Sequence, residues 1–147
     1  MKTPLAPPRR HSPKAWQWRV HAPDDRVHLP VCADCGQVCY PLREICPNCL
    51  SSRLEWRMVD NVGEVLAECT LMHSNASYFR DKLPMRIGTV KLACGPVAFA
   101  FLLSEVDVGQ TVRVALRLDD GGDVVLVASR LDGPVPASPA WNSVGPS

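Results

Sequence analysis

The residues best suited to chemistry are two pairs of cysteines near the start of the 147-residue chain. Cys32 and Cys35 form one C-x-x-C pair, and Cys46 and Cys49 form a second pair after ten intervening residues. A two-residue gap lets a tight turn direct both sulfurs at one ion, and four thiolates complete the tetrahedral coordination of Zn²⁺. A site with no open coordination position is structural, so we expect the zinc to stabilise the fold.

The other cysteines and the histidines offer no catalytic group. Cys39 lies between the pairs without a partner at the same spacing, and we interpret it as a bystander. Cys69 and Cys94 fall on the predicted inward phase of their strands, where a free cysteine is usually a small buried hydrophobe. His73 ends a predicted strand, where it is either solvated or part of a binding face. We therefore expect the chain to have no catalytic activity alone.

A long loop, residues 73–86, mixes aromatic and basic side chains. Such a mixture can hold a phosphate or stack on a planar ring, and long ordered loops in compact domains are usually functional. The alternative interpretation is an ordinary exposed loop. The candidate binding residues are Tyr78, Phe79, Arg80, Lys82 and Arg86.

The elements around these residues show period-two alternation, which is typical of half-buried strands. Five such runs follow Gly63, and no stretch of ten or more residues after position 50 has a helical stripe. Five strands are the number in an OB barrel closed by Greek-key pairing. The pattern thus predicts a mainly β chain, with a rubredoxin-like zinc ribbon followed by a five-stranded OB-fold barrel.

One predicted strand, residues 97–103, is apolar on both phases. We expect its larger residues Val97, Phe99 and Phe101 to fill the barrel, with Ala98 and Ala100 outside. Val125 and Val127 repeat this apolar outer phase in the last strand. An apolar outer face is usually covered, either by a partner protein or by the chain's own arm or ribbon.

Composition completes the domain organisation. Fourteen prolines collect toward the ends, which predicts a proline-rich arm over residues 1–30 and a flexible tail over 132–147. The zinc ribbon then occupies residues 31–53 and the OB-fold domain residues 54–131.

Net charge and hydropathy exclude several function classes. The net charge is +1, and residues 51–147 carry nine Lys/Arg against eleven Asp/Glu, which argues against a nucleic-acid surface. No apolar run approaches a membrane span, and the N-terminus lacks the apolar core of a signal peptide. Paired cysteines with metal spacing fit a reducing compartment, so we predict a cytoplasmic protein.

Several motifs together resemble the acyl-CoA-associated family of zinc-ribbon/OB-fold proteins, over about residues 30–130. The shared features are a first cysteine pair followed by glycine, a Tyr-Pro-x-Arg stretch, a second Cys-Pro-x-Cys pair and a tryptophan beyond it, here Cys32, Cys35, Gly36, Tyr40, Pro41, Arg43, Cys46, Pro47, Cys49 and Trp56. Leu50 departs from the pattern, because it stands where a second glycine might follow the pair. Pro23 and Pro30 interrupt the region where helices often precede the ribbon.

The resemblance implies a non-catalytic subunit of a thiolase-family acyl-CoA complex of the thiolase, acyltransferase or aldolase type. Its partner would be a thiolase-like or ketosynthase-like subunit in a hetero-oligomer, and its ligands would be structural zinc and an acyl-CoA shared with the partner. In that interpretation the aromatic and basic residues of the loop contact acyl-CoA. The alternative function is a nucleic-acid-binding zinc-ribbon/OB module, which the charge disfavours.

Overall fold

The structure of the protein, a computed structural model, describes residues 12–103 and 105–133. It confirms a mainly β chain in which a two-stranded sheet precedes a closed five-stranded barrel. No helix in the described ranges is long and apolar enough to cross a membrane. The elements are α1 (Pro13–Gln17), a 3-10 turn (Trp18–His21), β1 (Val27–Cys32), β2 (Leu54–Val59), β3 (Val62–Leu71), α2 (Ser77–Arg80), β4 (Met85–Leu92), β5 (Val97–Leu102), β6 (Thr111–Leu118) and β7 (Val124–Arg130).

The two-stranded sheet carries the cysteine loops. Strands β1 and β2 pair antiparallel, with Val27 opposite Val59 and Cys32 opposite Leu54. The ribbon therefore uses residues on both sides of the predicted range 31–53. Of the predicted arm and tail, residues 1–11 and 134–147 lie outside the described residues.

The barrel has the strand order β3-β4-β5-β7-β6, and β3 also pairs with β6 to close it. Gly63 stands at the closure, because it pairs with Leu92 of β4 and with Val112 of β6. A Cβ atom added at Gly63 would lie 2.6 Å from the backbone oxygen of Lys91. A glycine is required here because the strands approach too closely for any side chain.

A bulge in β3 places Cys69 on the outer face of the barrel, opposite to the predicted face. The register between β3 and β4 shifts between Val65 and Ala67, and a one-residue shift moves every following side chain to the opposite face. Val65 is fully buried, whereas Cys69 is exposed. The prediction of a buried Cys69 was wrong for this reason. Cys94 is half-buried at the edge of the core.

Strand β5 has the opposite phase to the prediction. Ala98, Ala100 and Leu102 are buried in the core, while 64% of Phe99 is exposed. Inside the barrel Ala98 faces Val90 and Ala100 faces Gly88, and Leu102 lies so close that a Cβ at Gly88 would be 2.7 Å from its Cδ1. A small barrel has no room for phenylalanine at these levels, so the large residues face outward.

The chain's own N-terminal segment covers part of the barrel. Trp18 is buried in the same apolar cluster as β1 and the barrel strands. Asp24 pairs with Leu116 of β6, and the Arg19 Nε donates to the backbone oxygen of Gly122 at 2.8 Å. Strand β7 is consequently buried on both phases from Val124 to Ser129.

A buried arginine links β4 to the loop after β5. Arg86 faces the barrel interior with 8% of its side chain exposed and forms an ion pair with Glu68 of β3. Its guanidinium donates to the backbone oxygens of Leu103 at 2.8 Å and Val106 at 2.6 Å. Charge-assisted hydrogen bonds of this kind stabilise a buried cation that would otherwise be costly.

We expect Arg86→Ala to lower the free energy of unfolding by about 2–4 kcal/mol, because two buried carbonyls and Glu68 lose their donor. Urea denaturation of the full chain measures this. The matched control is Arg80→Ala in the preceding loop, where an exposed guanidinium should contribute less than about 0.5 kcal/mol. Equal effects of the two substitutions would contradict the structural role of Arg86.

Candidate functional site

Four cysteines meet at one end of the two-stranded sheet. The Sγ atoms of Cys32, Cys35, Cys46 and Cys49 all lie within 4.8 Å of one another. Two sulfur–sulfur distances, Cys32 to Cys49 and Cys35 to Cys46, are 3.5 Å. Tetrahedral coordination with 2.3 Å metal–sulfur bonds separates the sulfurs by about 3.8 Å. The donor set and its geometry therefore fit a tetrahedral metal ion.

The backbone around the cluster favours thiolates. The N–H of Cys35 holds the pKa of Cys32 below its ordinary value, and the side chain of Asn48 does the same for Cys35. Burial opposes ionisation of Cys46, but N–H groups of Cys49 and Asn48 outweigh it and lower its pKa. The N–H of Ser51 lowers the pKa of Cys49, but the neighbouring sulfurs and burial outweigh it and raise this pKa to about 12. All four cysteines can therefore be thiolates together only with a cation between them.

The two cysteine turns use the same backbone device. Gly36 follows the first pair with φ +80°, and its N–H donates to the oxygen of Cys32 at 2.9 Å. Leu50 follows the second pair with φ +65°, and its N–H donates to the oxygen of Cys46 at 2.9 Å. Cys39 stays outside the cluster, where burial raises its thiol pKa to about 11.

The loop between β3 and β4 is anchored to the turn between β6 and β7. Tyr78 is almost fully buried, and its hydroxyl accepts a hydrogen bond from the N–H of Asp120 at 3.3 Å. Lys82 lies over the Tyr78 ring, with Nζ 3.9 Å from the centroid, and pairs with the Asp120 carboxylate at 3.2 Å. Tyr78, Lys82 and the buried Arg86 therefore hold the loop in place.

The remaining predicted site residues lie at the surface. Phe79 is half-buried against Tyr78 in an edge-to-face contact at 4.9 Å. Arg80 is exposed and donates to the backbone oxygens of Ser74 and Asn75. His73 is also exposed. The structure thus divides the predicted set into buried residues that support the loop and surface residues beside an adjoining depression.

That depression is an open cavity of about 540 Å³, which we call the apolar groove. Residues of the N-terminal segment, the ribbon and the loop after β3 line it together with residues of the barrel strands. Its walls and floor are formed by Trp18, Tyr40, Leu71, His73, Ser74, Phe79, Leu83, Met85, Ile87, Phe99, Ala100, Phe101, Val124, Val125 and Leu126. Its volume is within the range of small-molecule sites.

Sequence reasoning missed two walls of this groove. Trp18 lies in the segment assigned to an arm, and Tyr40 was considered only as part of a motif between the cysteine pairs. The Trp18 indole N–H donates to the backbone oxygen of His28 at 2.7 Å, and its ring meets Tyr40 edge-on at 6.4 Å. The pair Trp16 and Trp18 was the available signal in the N-terminal segment, whereas Tyr40 is the single aromatic residue among residues 31–53 and gave none of this kind.

Comparison with known proteins identifies relatives only in structure. No protein-family model matches the chain, and no curated protein matches it in sequence. A solved structure described as "Ltp2-ChsH2(DUF35) aldolase" is 20% identical, covers 80% of this chain and 94% of its own, and superposes with a TM-score of 0.65. The fold is that of solved DUF35 proteins. A DUF35 protein of unknown function from Sulfolobus solfataricus, 15% identical, covers 80% of this chain and 87% of its own, with a TM-score of 0.53.

We expect Leu50→Gly to raise the free energy of unfolding by about 1 kcal/mol, because a left-handed backbone is costly for leucine and free for glycine. With 76% of Leu50 exposed, little packing is lost. Thermal unfolding of the metal-loaded chain measures the change, and Leu50→Ala is the control that shortens the side chain without relieving the backbone. A lower stability for the glycine variant would contradict the left-handed backbone conformation of Leu50.

Proposed function

We propose that the chain is a non-catalytic zinc-ribbon/OB-fold subunit of a thiolase-family acyl-CoA complex, of the thiolase, acyltransferase or aldolase type. It supports assembly and acyl-CoA binding, while the partner, a thiolase-like or ketosynthase-like subunit, supplies the catalytic groups. Because the site needs reduced cysteines, the proposal includes the cytoplasm as location.

The observation that carries this proposal is the arrangement of ribbon and barrel. The structural match covers 94% of the chain in the solved structure described as an aldolase. The Tyr-Pro-x-Arg stretch between the cysteine pairs, which begins at Tyr40, is part of the family resemblance. Further support comes from the outer face of the barrel, where Phe99 is 64% exposed and Val97 is 44% exposed. Exposed apolar strand residues of this kind are typical of protein contact surfaces.

Within the complex, we assign the acyl-CoA contacts of this chain to Phe79 and Arg80. Arg80 is an exposed cation on α2, and Phe79 lines the apolar groove beside it. A phosphate of CoA can approach the guanidinium from solvent. Arg80 keeps access to solvent beside its two backbone contacts, whereas the side chains of Tyr78, Lys82 and Arg86 are largely buried within the protein, so their contribution to this site is indirect.

We predict one zinc ion per chain, bound by Cys32, Cys35, Cys46 and Cys49. Cys46→Ser should lose the zinc and most of the stability of the ribbon, because metal binding supplies on the order of 10 kcal/mol to such segments. Elemental analysis of the purified protein, with urea denaturation, measures both effects. The control Cys69→Ser changes an exposed cysteine outside the cluster and should keep its zinc. A stable Cys46→Ser variant with full zinc would refute the assignment.

Co-expression with the neighbouring reading frames should yield an untagged thiolase-like partner that co-purifies with the tagged chain. In the active complex, Arg80→Ala should raise the KM for the CoA substrate about fivefold, as expected for loss of one charged contact with a phosphate. Arg57→Ala, which changes an exposed arginine of β2, is the control and should leave KM unchanged. Turnover of acyl-CoA by the chain alone would contradict the proposed division of roles.

A further inference from the structure

The apolar groove begins where two barrel strands separate. Strands β5 and β7 are parallel, and their ladder consists of two pairs, Phe101 with Val127 and Leu102 with Ala128. Residues 97–100 and 124–126 precede this ladder on each strand. This explains why core residues such as Ala100 and Leu126 line the groove together with the outward-facing Phe99 and Phe101. The groove therefore reaches from the surface toward the core.

The chemistry of the groove selects an uncharged ligand group. Among the residues that line it, none is Asp, Glu, Lys or Arg, and the polar side chains are His73, Ser74, Trp18 and Tyr40. Trp18 donates its indole N–H to the His28 oxygen, so this polar group is engaged within the protein. An aliphatic group in such surroundings is stabilised by the removal of apolar surface from water.

Two observations argue against an extended peptide as the occupant. A peptide that adds to a sheet edge binds through backbone hydrogen bonds, but the N–H of Phe99 already donates to the Tyr40 hydroxyl at 3.4 Å. Tyr40 thereby covers the exposed edge of β5 at the level of the groove. The lining also offers no charge that would orient a protein segment. An aliphatic chain needs neither a free strand edge nor a charged group in the lining.

We propose that the apolar groove binds the aliphatic chain of an acyl group. Only one part of this proposal rests on the proposed function, namely that the acyl group is attached to CoA and that Arg80 of α2 contacts the CoA head group at the groove rim. The groove itself is lined by residues of this chain, among them Tyr40 of the ribbon and Phe79 of α2. Binding of the acyl chain is therefore a property of the isolated protein.

Calorimetric titration of the full, zinc-loaded chain with CoA and with hexanoyl-, octanoyl-, decanoyl- and dodecanoyl-CoA tests the proposal. Affinity should rise about fourfold per added methylene until the groove is filled, and dodecanoyl-CoA should bind at least 100-fold more tightly than CoA. In ¹H–¹⁵N spectra of the unaltered protein, the indole N–H signal of Trp18 should shift on titration, while that of Trp56, outside the groove, stays in place. Equal affinities for CoA and dodecanoyl-CoA would overturn the proposal.

Matched variants locate the site. Ile87→Trp fills part of the groove and should weaken dodecanoyl-CoA binding at least 20-fold, whereas Met58→Trp, at an exposed position of β2 outside the lining, should change it less than twofold. If both variants bind like the unaltered chain, the acyl group lies elsewhere and the proposal fails. If the unaltered chain shows no chain-length dependence while Ile87→Trp prevents partner assembly, the groove is a protein contact instead. If no partner co-purifies but chain-length dependence persists, the proposed complex fails and the groove assignment stands.

Discussion

The segment between β1 and β2 depends on the meeting of four sulfurs. Residues 33–53 contain no helix or strand, and most of their side chains are exposed. What the segment does contain is a cluster of Sγ atoms within 4.8 Å, with backbone N–H groups directed at several of them. A chain of this length cannot bury enough apolar surface to fix its own conformation. The part of the ribbon between the two strands, including Tyr40, is therefore held mainly by this cluster.

The barrel is fixed by a different kind of constraint, namely the burial of charged groups with their partners. Arg86 binds two backbone oxygens and Glu68. Arg117, with 6% of its side chain exposed, pairs with Asp25 of the N-terminal segment. Asp119 accepts hydrogen bonds from the N–H groups of Gly121 and Asp123 and so shapes the turn before β7. Removing one partner from such a pair leaves the other charge buried and uncompensated, which is strongly destabilising.

The sequence was sufficient for the architecture and for the cysteine cluster, because cysteine spacing and period-two alternation are local signals. It was insufficient for the faces of individual strands. The β3 bulge reverses the phase after Val65, and the interior space opposite Gly88 decides which side of β5 is inward. Both depend on pairing between distant segments. The same limit applied to the loop after β3, where the anchor of Tyr78 and Lys82 is Asp120, some forty residues away.

The hydrogen bond from the Phe99 N–H to the Tyr40 hydroxyl joins the two parts of the molecule at the groove. Tyr40 lies in the connection between the cysteine pairs, whose conformation is set at its two ends by the sulfur cluster. Residues within that connection can change in size without altering either the cysteines or the barrel strands. In the proposed acyl site the ribbon contributes Tyr40, so substitutions at this position offer a route by which related chains can diverge in ligand preference while keeping one scaffold.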